Sequence, residues 1–387
     1  MTKNTLELTD QQVVDHAREL LRAHLPLSAE GYACTTDDLL NVLLGIAANR
    51  GTLEAVCRDW VGSADPETVR GYFRDQLRVE DLPELERRLN AALRAEIPRR
   101  LWRQAQPVAI DFHDRPYYGK RPQSEGVWVR GQARDGTTRF YRLLTAYVIR
   151  KDLRVTLAVR FVLPEQKTVE LLRDVLKGLK KQGLQLAGLY LDKGFASIEV
   201  MDYLTRQGQP AVIACPIRGK TGGTRALCRG RRSYRTDHTF VSGERAFTAH
   251  LAVCRSFTTA RRTKRLKRRA TWLLYILIEC DWSPDQVRQR YRSRFGVESS
   301  YRCAGQVRGW TTSPNPAYRF MLLTLSFVLL NVWVHLRWCY AQVPRRGCRW
   351  LNTKLLELQR VVKFIRRALE RLYGCITSIQ AVAAPRL

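Results

Sequence analysis

The sequence predicts an α/β protein: a mixed sheet flanked by helices, carrying a β-rich insertion, with helical regions at both ends. Three observations predict it. Apolar residues recur at helical spacing through residues 1–105, strand patterns interleaved with helices take over at about 106, and helical spacing returns from 283. The 387 residues suffice for two or three domains, and at 45% hydrophobic they can bury a core, so general disorder is excluded.

The leader comes first. Residues 11–24 carry Val13, Val14, Ala17, Leu20 and Leu21 on one helical face, with Asp10 in the capping position. A second helix is expected over 36–48, capped by Thr36, and two more over 66–76 and 82–97. Such a leader on a basic chain reads either as a nucleic-acid-binding domain or as a helical cap without that role. No recognition helix stands out.

Strands follow. PVAIDFHD (107–114) is a short apolar run ending in acids, and TRFYRLLTAYVIRK and LRVTLAVRFVL are rich in β-branched and aromatic residues. Asp135-Gly136 and Lys151-Asp152 mark the intervening turns. An amphipathic helix over 169–182 ends at Gly183, then come the strand LAGLYLD, a helix over 198–207 and the strand PAVIACPI. Three strands, helix, strand, helix, strand is the order of a ribonuclease H-like core, in which an antiparallel meander precedes parallel strands joined by helices. Its first part is assigned to 106–217.

Residues 218–282 break this alternation and read as a basic β-rich insertion. The strands HTFVS and FTAHLAVCRS turn at Ser242-Gly243-Glu244, and the run ARRTKRLKRR leads into the strand WLLYILIEC. That run, with Arg265, Lys267 and Arg268, reads as an exposed loop that either contacts DNA or is simply a solvated face. Ser283 caps a helix expected over 284–305, within a segment 283–312 that completes the core. Residues 313–387 form a C-terminal helical region, with an apolar helix around 317–340 and a basic one near 353–373.

Charge narrows the partners. Lys and Arg number 66 against 36 Asp and Glu, a formal +30, which implies a polyanion, either nucleic acid or an anionic membrane. The run FMLLTLSFVLLNVWVHL (320–336) falls short of a bilayer span and carries Asn331 and His335, so it reads as a buried helix rather than an anchor. The ten cysteines are scattered singly without CxxC pairs or a companion His cluster, so their spacing offers no zinc site. His113, His250 and His335 likewise lack partner spacing. The segment MTKNTLELTDQQ has no apolar stretch, and a cytoplasmic, reducing setting is expected.

The chemistry lies in three acids. Asp111 and Asp192 each end a hydrophobic strand, and in a ribonuclease H-like sheet those strands are neighbours, so both carboxylates emerge at one edge. Adjacent acids repel unless a cation lies between them, and two ions held by hard oxygens, Mg2+ or alternatively Mn2+, suit phosphoryl transfer. Glu298 is the expected third ligand, from a helix on which Tyr291, Arg294 and Glu298 share a face. Arg294 and Tyr291 are read as phosphate contacts. Asp114 competes with Asp111 at the same strand end, and Lys193 is either a phosphate contact or a solvated surface residue. Trp310 reads as core packing or a base-stacking aromatic.

Here a family resemblance becomes specific. Tyr291-x2-Arg294-x3-Glu298 resembles the Y-(2)-R-(3)-E-(6)-K signature of insertion-sequence DDE transposases of the IS-four-like group, and IDFHD and LYLDKGF resemble that family's two aspartate motifs. The resemblance covers roughly 105–340. It implies binding of an element's terminal inverted repeats, metal-dependent cleavage, and transfer of 3′-hydroxyl ends to target DNA by a dimer or larger assembly, in a prokaryotic nucleoid. A nuclease with this core but no strand transfer, and a domesticated DNA-binding protein without catalysis, are the alternatives. The signature lysine falls at Gly305; Arg302 or Arg308 is the candidate replacement.

Overall fold

The computed structural model describes residues 6–119, 127–150, 154–262, 265–345 and 348–379. The leader contains α1 (Asp10–His24), a short ladder of β1 (Glu30–Gly31) and β2 (Cys34–Thr35), α2 (Thr36–Asn49), α3 (Leu53–Asp59), α4 (Pro66–Gln76) and α5 (Leu82–Ala95). The first two caps stand one residue earlier than the sequence predicts, on Thr9 and Thr35. Each closes a capping box with the side chain three residues on, Gln12 and Asp38, which satisfies two orphan amides at once. Asp10, freed from capping, pairs with Arg371 at 2.6 Å.

Next come β3 (Gln106–Pro116), β4 (Val129–Arg134), β5 (Thr137–Val148), β6 (Thr156–Val162), α6 (Thr168–Lys181), β7 (Leu186–Leu191), α7 (Ile198–Arg206), β8 (Ala211–Cys215), β9 (Tyr234–Ser242), β10 (Arg245–Arg262) and β11 (Arg265–Ile278). β4 adds a strand to the expected set: it pairs with β5 across Asp135-Gly136, whose φ values of 52° and 78° are those a tight hairpin demands. The Lys151-Asp152 turn lies outside the described residues. α8 (Pro284–Arg292), α9 (Gly296–Ala304), α10 (Pro316–Tyr340), a hairpin of β12 (Gln342–Arg345) and β13 (Cys348–Leu351), and α11 (Leu358–Tyr373) complete the chain.

The chain divides into two compact units. One combines residues up to 98, 116–141 and from 301 onward, so the leader and the C-terminal region form a single helical body. In it α11 packs on α1 and α2, and α10 on α5. A buried chain of hydrogen bonds ties them, Asn41 Nδ2 donating to the Tyr373 hydroxyl at 3.0 Å and that hydroxyl to Asp38 at 2.7 Å. The apolar run in α10 is long enough for a membrane span, yet 83% of its most apolar 18-residue window is buried, and Asn331 donates to the Leu93 carbonyl at 2.9 Å.

The second unit, 99–115 and 142–300, carries the sheet in the order β6-β5-β3-β7-β8-β11-β10-β9. β3, β7 and β8 run parallel and the rest antiparallel. The insertion therefore does not stand apart: β11 pairs with β8 and extends the core sheet. The described residues of the basic run, 260–262 and 265–269, are strand and not loop. They lie within the β10–β11 hairpin, whose register continues unbroken from His250–Leu277 to Arg262–Arg265, because the apolar ladder nearer the core sets the pairing of the polar residues beyond it.

Candidate active site

β3 and β7 are adjacent and parallel, with Ile110 opposite Leu191. Val108, Ala109, Ile110, Leu189 and Leu191 are fully buried, so each strand stays apolar until it reaches the sheet edge. The next residues are Asp111 and Asp192. Asp192 follows the end of β7, whereas β3 runs on to Pro116 and Asp111 stands just past its last residue paired with β7, so both acids leave the parallel pair at one edge, where open α/β sheets bind their ligands. Asp192 opens a tight 3-10 turn over Lys193–Phe195, and Phe195 stacks on Phe112 with ring centres 4.9 Å apart, fixing the turn against β3.

A cation already bridges the acids. Arg294 Nη2 lies 2.8 Å from Asp111 Oδ1 and 3.9 Å from Asp192 Oδ1, and its side chain is 7% exposed. Burial pushes the Asp111 carboxyl up to about 6; the Arg294 charge opposes that rise and the Asp192 charge adds to it. The group is held in a state where ionisation is costly and a positive neighbour is rewarded.

The helix expected over 284–305 is three pieces: α8, a 3-10 turn over Ser293–Phe295, and α9. Ser293 and Gly296, both weak helix formers, bound the turn, and Gly296 lies against Tyr147 and Arg154. Arg294 sits inside this turn. Tyr291, near the end of α8, is buried and donates its hydroxyl to the Leu191 carbonyl at 3.0 Å, pinning the residue before Asp192. Its phenol therefore holds β7 in place, where the sequence suggests a phosphate contact.

Glu298 is exposed in the first turn of α9, two residues past Gly296. Asp111, Asp192, Arg294 and Tyr291 are brought together, whereas Glu298 does not join a tight cluster with the two aspartates. Among the described residues, the group of three His, Cys, Asp or Glu with ligand atoms within 4.8 Å of one another is His16, Glu96 and His335. Asp114 is engaged elsewhere, gripped by Arg142 at 2.7 and 3.0 Å in a two-pronged ion pair. Sequence reasoning missed Arg142, since only strand register shows that β5 puts it opposite the end of β3.

Lys193 is exposed at the start of the turn after Asp192, and Arg302 is exposed one turn beyond Glu298. Gly305 follows the last residue of α9 and bonds back to the Tyr301 carbonyl at 3.0 Å, so the signature lysine position coincides with the helix stop. Arg265, Lys267 and Arg268 are paired in the hairpin with Arg262, Ala260 and Thr259.

The transposase DDE domain family matches residues 102–328, more than half of the chain. Among solved structures, the fold is similar to that of a piggyBac transposase in a synaptic complex with hairpin DNA. The TM-score is 0.55 at 13% identity, covering 95% of this chain and 77% of that one. No curated protein matches.

Proposed function

The chain belongs to the transposase DDE domain family and is a transposase, and on that premise we propose that Asp111, Asp192 and Glu298 hold two divalent ions for cutting and rejoining DNA. The observation that carries this reading is the parallel register of β3 and β7, which sets Asp111 beside Asp192 with a buried arginine between them. The donor set fits: hard carboxylate oxygens without Cys or His favour Mg2+, with Mn2+ as an alternative. An acid raised to about 6 by burial and a neighbouring carboxylate is also one that a cation would restore to its ionised form.

When bound, such ions supply Lewis acidity at the scissile phosphate and its leaving oxygen. The chain's own residues do the rest. Arg294 holds the Asp111 carboxylate in place, and Tyr291 fixes the main chain at Leu191 so that Asp192 leaves the strand at a defined position. Lys193, Arg302 and the hairpin residues Arg265, Lys267 and Arg268 are the proposed contacts to the DNA backbone, in line with the +30 charge. The substrates are the terminal inverted repeats of a mobile element and a target duplex. Two ends must meet, so we propose assembly on DNA as a dimer or larger, as in the synaptic complex of the similar piggyBac transposase.

The test is Asp192→Asn assayed on DNA carrying the element's ends in Mg2+. Cleavage is expected to fall at least about 100-fold, the scale for losing a group that stabilises transition-state charge. End binding should persist at wild-type strength. Full cleavage by this variant overturns the assignment.

A further inference from the structure

The helical unit contains a second set of ligating side chains that the cleavage reaction does not use. Glu96 caps the C-terminal end of α5, and its side chain is 4% exposed. His16 of α1 places Nε2 3.0 Å from Glu96 Oε2, and His335 of α10 places Nδ1 3.7 Å from the same oxygen. The two imidazoles are stacked with centres 5.3 Å apart, and the three ligand atoms all lie within 4.8 Å of one another.

Glu96 is buried and stands at the negative end of the α5 dipole, a place that favours a cation. Its ion-pair partners among the described residues are these two imidazoles, neither permanently charged. A divalent cation suits this trio, whose one carboxylate oxygen and two imidazole nitrogens converge within 4.8 Å on a part-exposed face.

We propose that His16, Glu96 and His335 bind one borderline-soft divalent transition-metal ion, Zn2+ foremost, with water completing the coordination. Two imidazole nitrogens and one carboxylate oxygen form a donor set characteristic of zinc with an open position. Metal–ligand bonds of about 2.0–2.2 Å require ligand atoms roughly 3.4 Å apart, so the present spacing closes by about an ångström of side-chain movement. The imidazole side chains are 34% and 33% exposed, which gives the ion an entry path and water its place. On ligation the imidazole proton now shared with Glu96 passes to solvent. The ion would tie α1, α5 and α10 together. Sequence spacing gives no hint of it, because the ligands are 80 and 239 residues apart and share no motif.

The experiment uses the full chain stripped with EDTA and held in excess Mg2+, which occupies oxygen-only sites. Zn2+ is titrated by calorimetry, and Co2+ is followed by visible absorption. One equivalent of Zn2+ is expected, with a raised melting temperature and the intense bands of four-coordinate Co2+. Glu96→Gln and His335→Ala should each weaken binding by about 100-fold or more, the upper end of what even outer ligand partners cost. Cys339→Ser, one turn from His335, should bind as the parent does. His16→Ala, at a part-exposed ring, serves as the second test should the buried Glu96 variant fail to fold. No Zn2+ binding, binding unchanged in the ligand variants, loss in Cys339→Ser, or only the pale spectrum of six-coordinate Co2+ overturns the proposal. A failed Asp192→Asn test leaves this site untouched.

Discussion

Replacing Asp111 with Asn should make the metal-free protein more stable at neutral pH while removing cleavage. Burial lifts the Asp111 carboxyl from 3.8 to about 6. Between those values the folded chain binds a proton that the unfolded chain has released, so stability falls as pH rises through the window. Above about 6 the penalty is complete, about 3 kcal/mol for a displacement of this size. Asn removes the titration and resembles the protonated acid, so it should recover about 1–3 kcal/mol at pH 8 and almost nothing at pH 4. For a unit of this size that is a melting-temperature rise of about 5 °C. Scanning calorimetry of both proteins in EDTA at the two pH values reads it directly. If the variant is less stable at pH 8, or the gap is the same at pH 4, Asp111 is not a strained acid.

Three further outcomes separate the roles of neighbouring residues. Asp114→Asn should leave Mg2+-dependent cleavage within about threefold of the parent. It should cost about 1 kcal/mol in denaturant unfolding, since the partly exposed Arg142 pair is screened by solvent; loss of cleavage would move the first metal ligand to Asp114. Tyr291→Phe strips a buried hydroxyl from the Leu191 carbonyl and should cost about 1–3 kcal/mol. DNA affinity should stay unchanged, and weaker binding would restore a phosphate contact to this tyrosine. Changing Arg265, Lys267 and Arg268 together to Ala should lower the slope of log affinity against log salt by about 3, nearly one unit for each phosphate no longer neutralised. An unchanged slope would mark the hairpin as a solvated face.

The sheet was legible because its strands obey period-two and all-apolar patterns, and the two aspartates were legible because each follows an unbroken apolar run; that β3 continues past Asp111 to Pro116 was not. What escaped the sequence was set by pairing and by short-range geometry. β4 is a six-residue strand with no apolar run, Arg130, Gln132 and Arg134 being polar, and its strand character comes from its hairpin partner. α3, at seven residues, is too short to show a period. The hairpin of β10 and β11 holds its basic residues in strand form through the register of distant apolar pairs, which a local reading takes for a loop. The union of leader and tail rests on contacts such as Asn41 with Tyr373, 332 residues apart.

The break in the helix after α8 bears most directly on the chemistry. On a continuous helix Tyr291, Arg294 and Glu298 would share one face and address one target. The 3-10 turn separates them: Tyr291 stays buried on the Leu191 carbonyl, Arg294 reaches the aspartates from within the turn, and Glu298 stands exposed at the start of α9. The signature spacing therefore encodes three tasks rather than one contact surface. Arg294 occupies the position between the acids, so the two divalent ions proposed to bind there would have to displace it or share Asp111 with it.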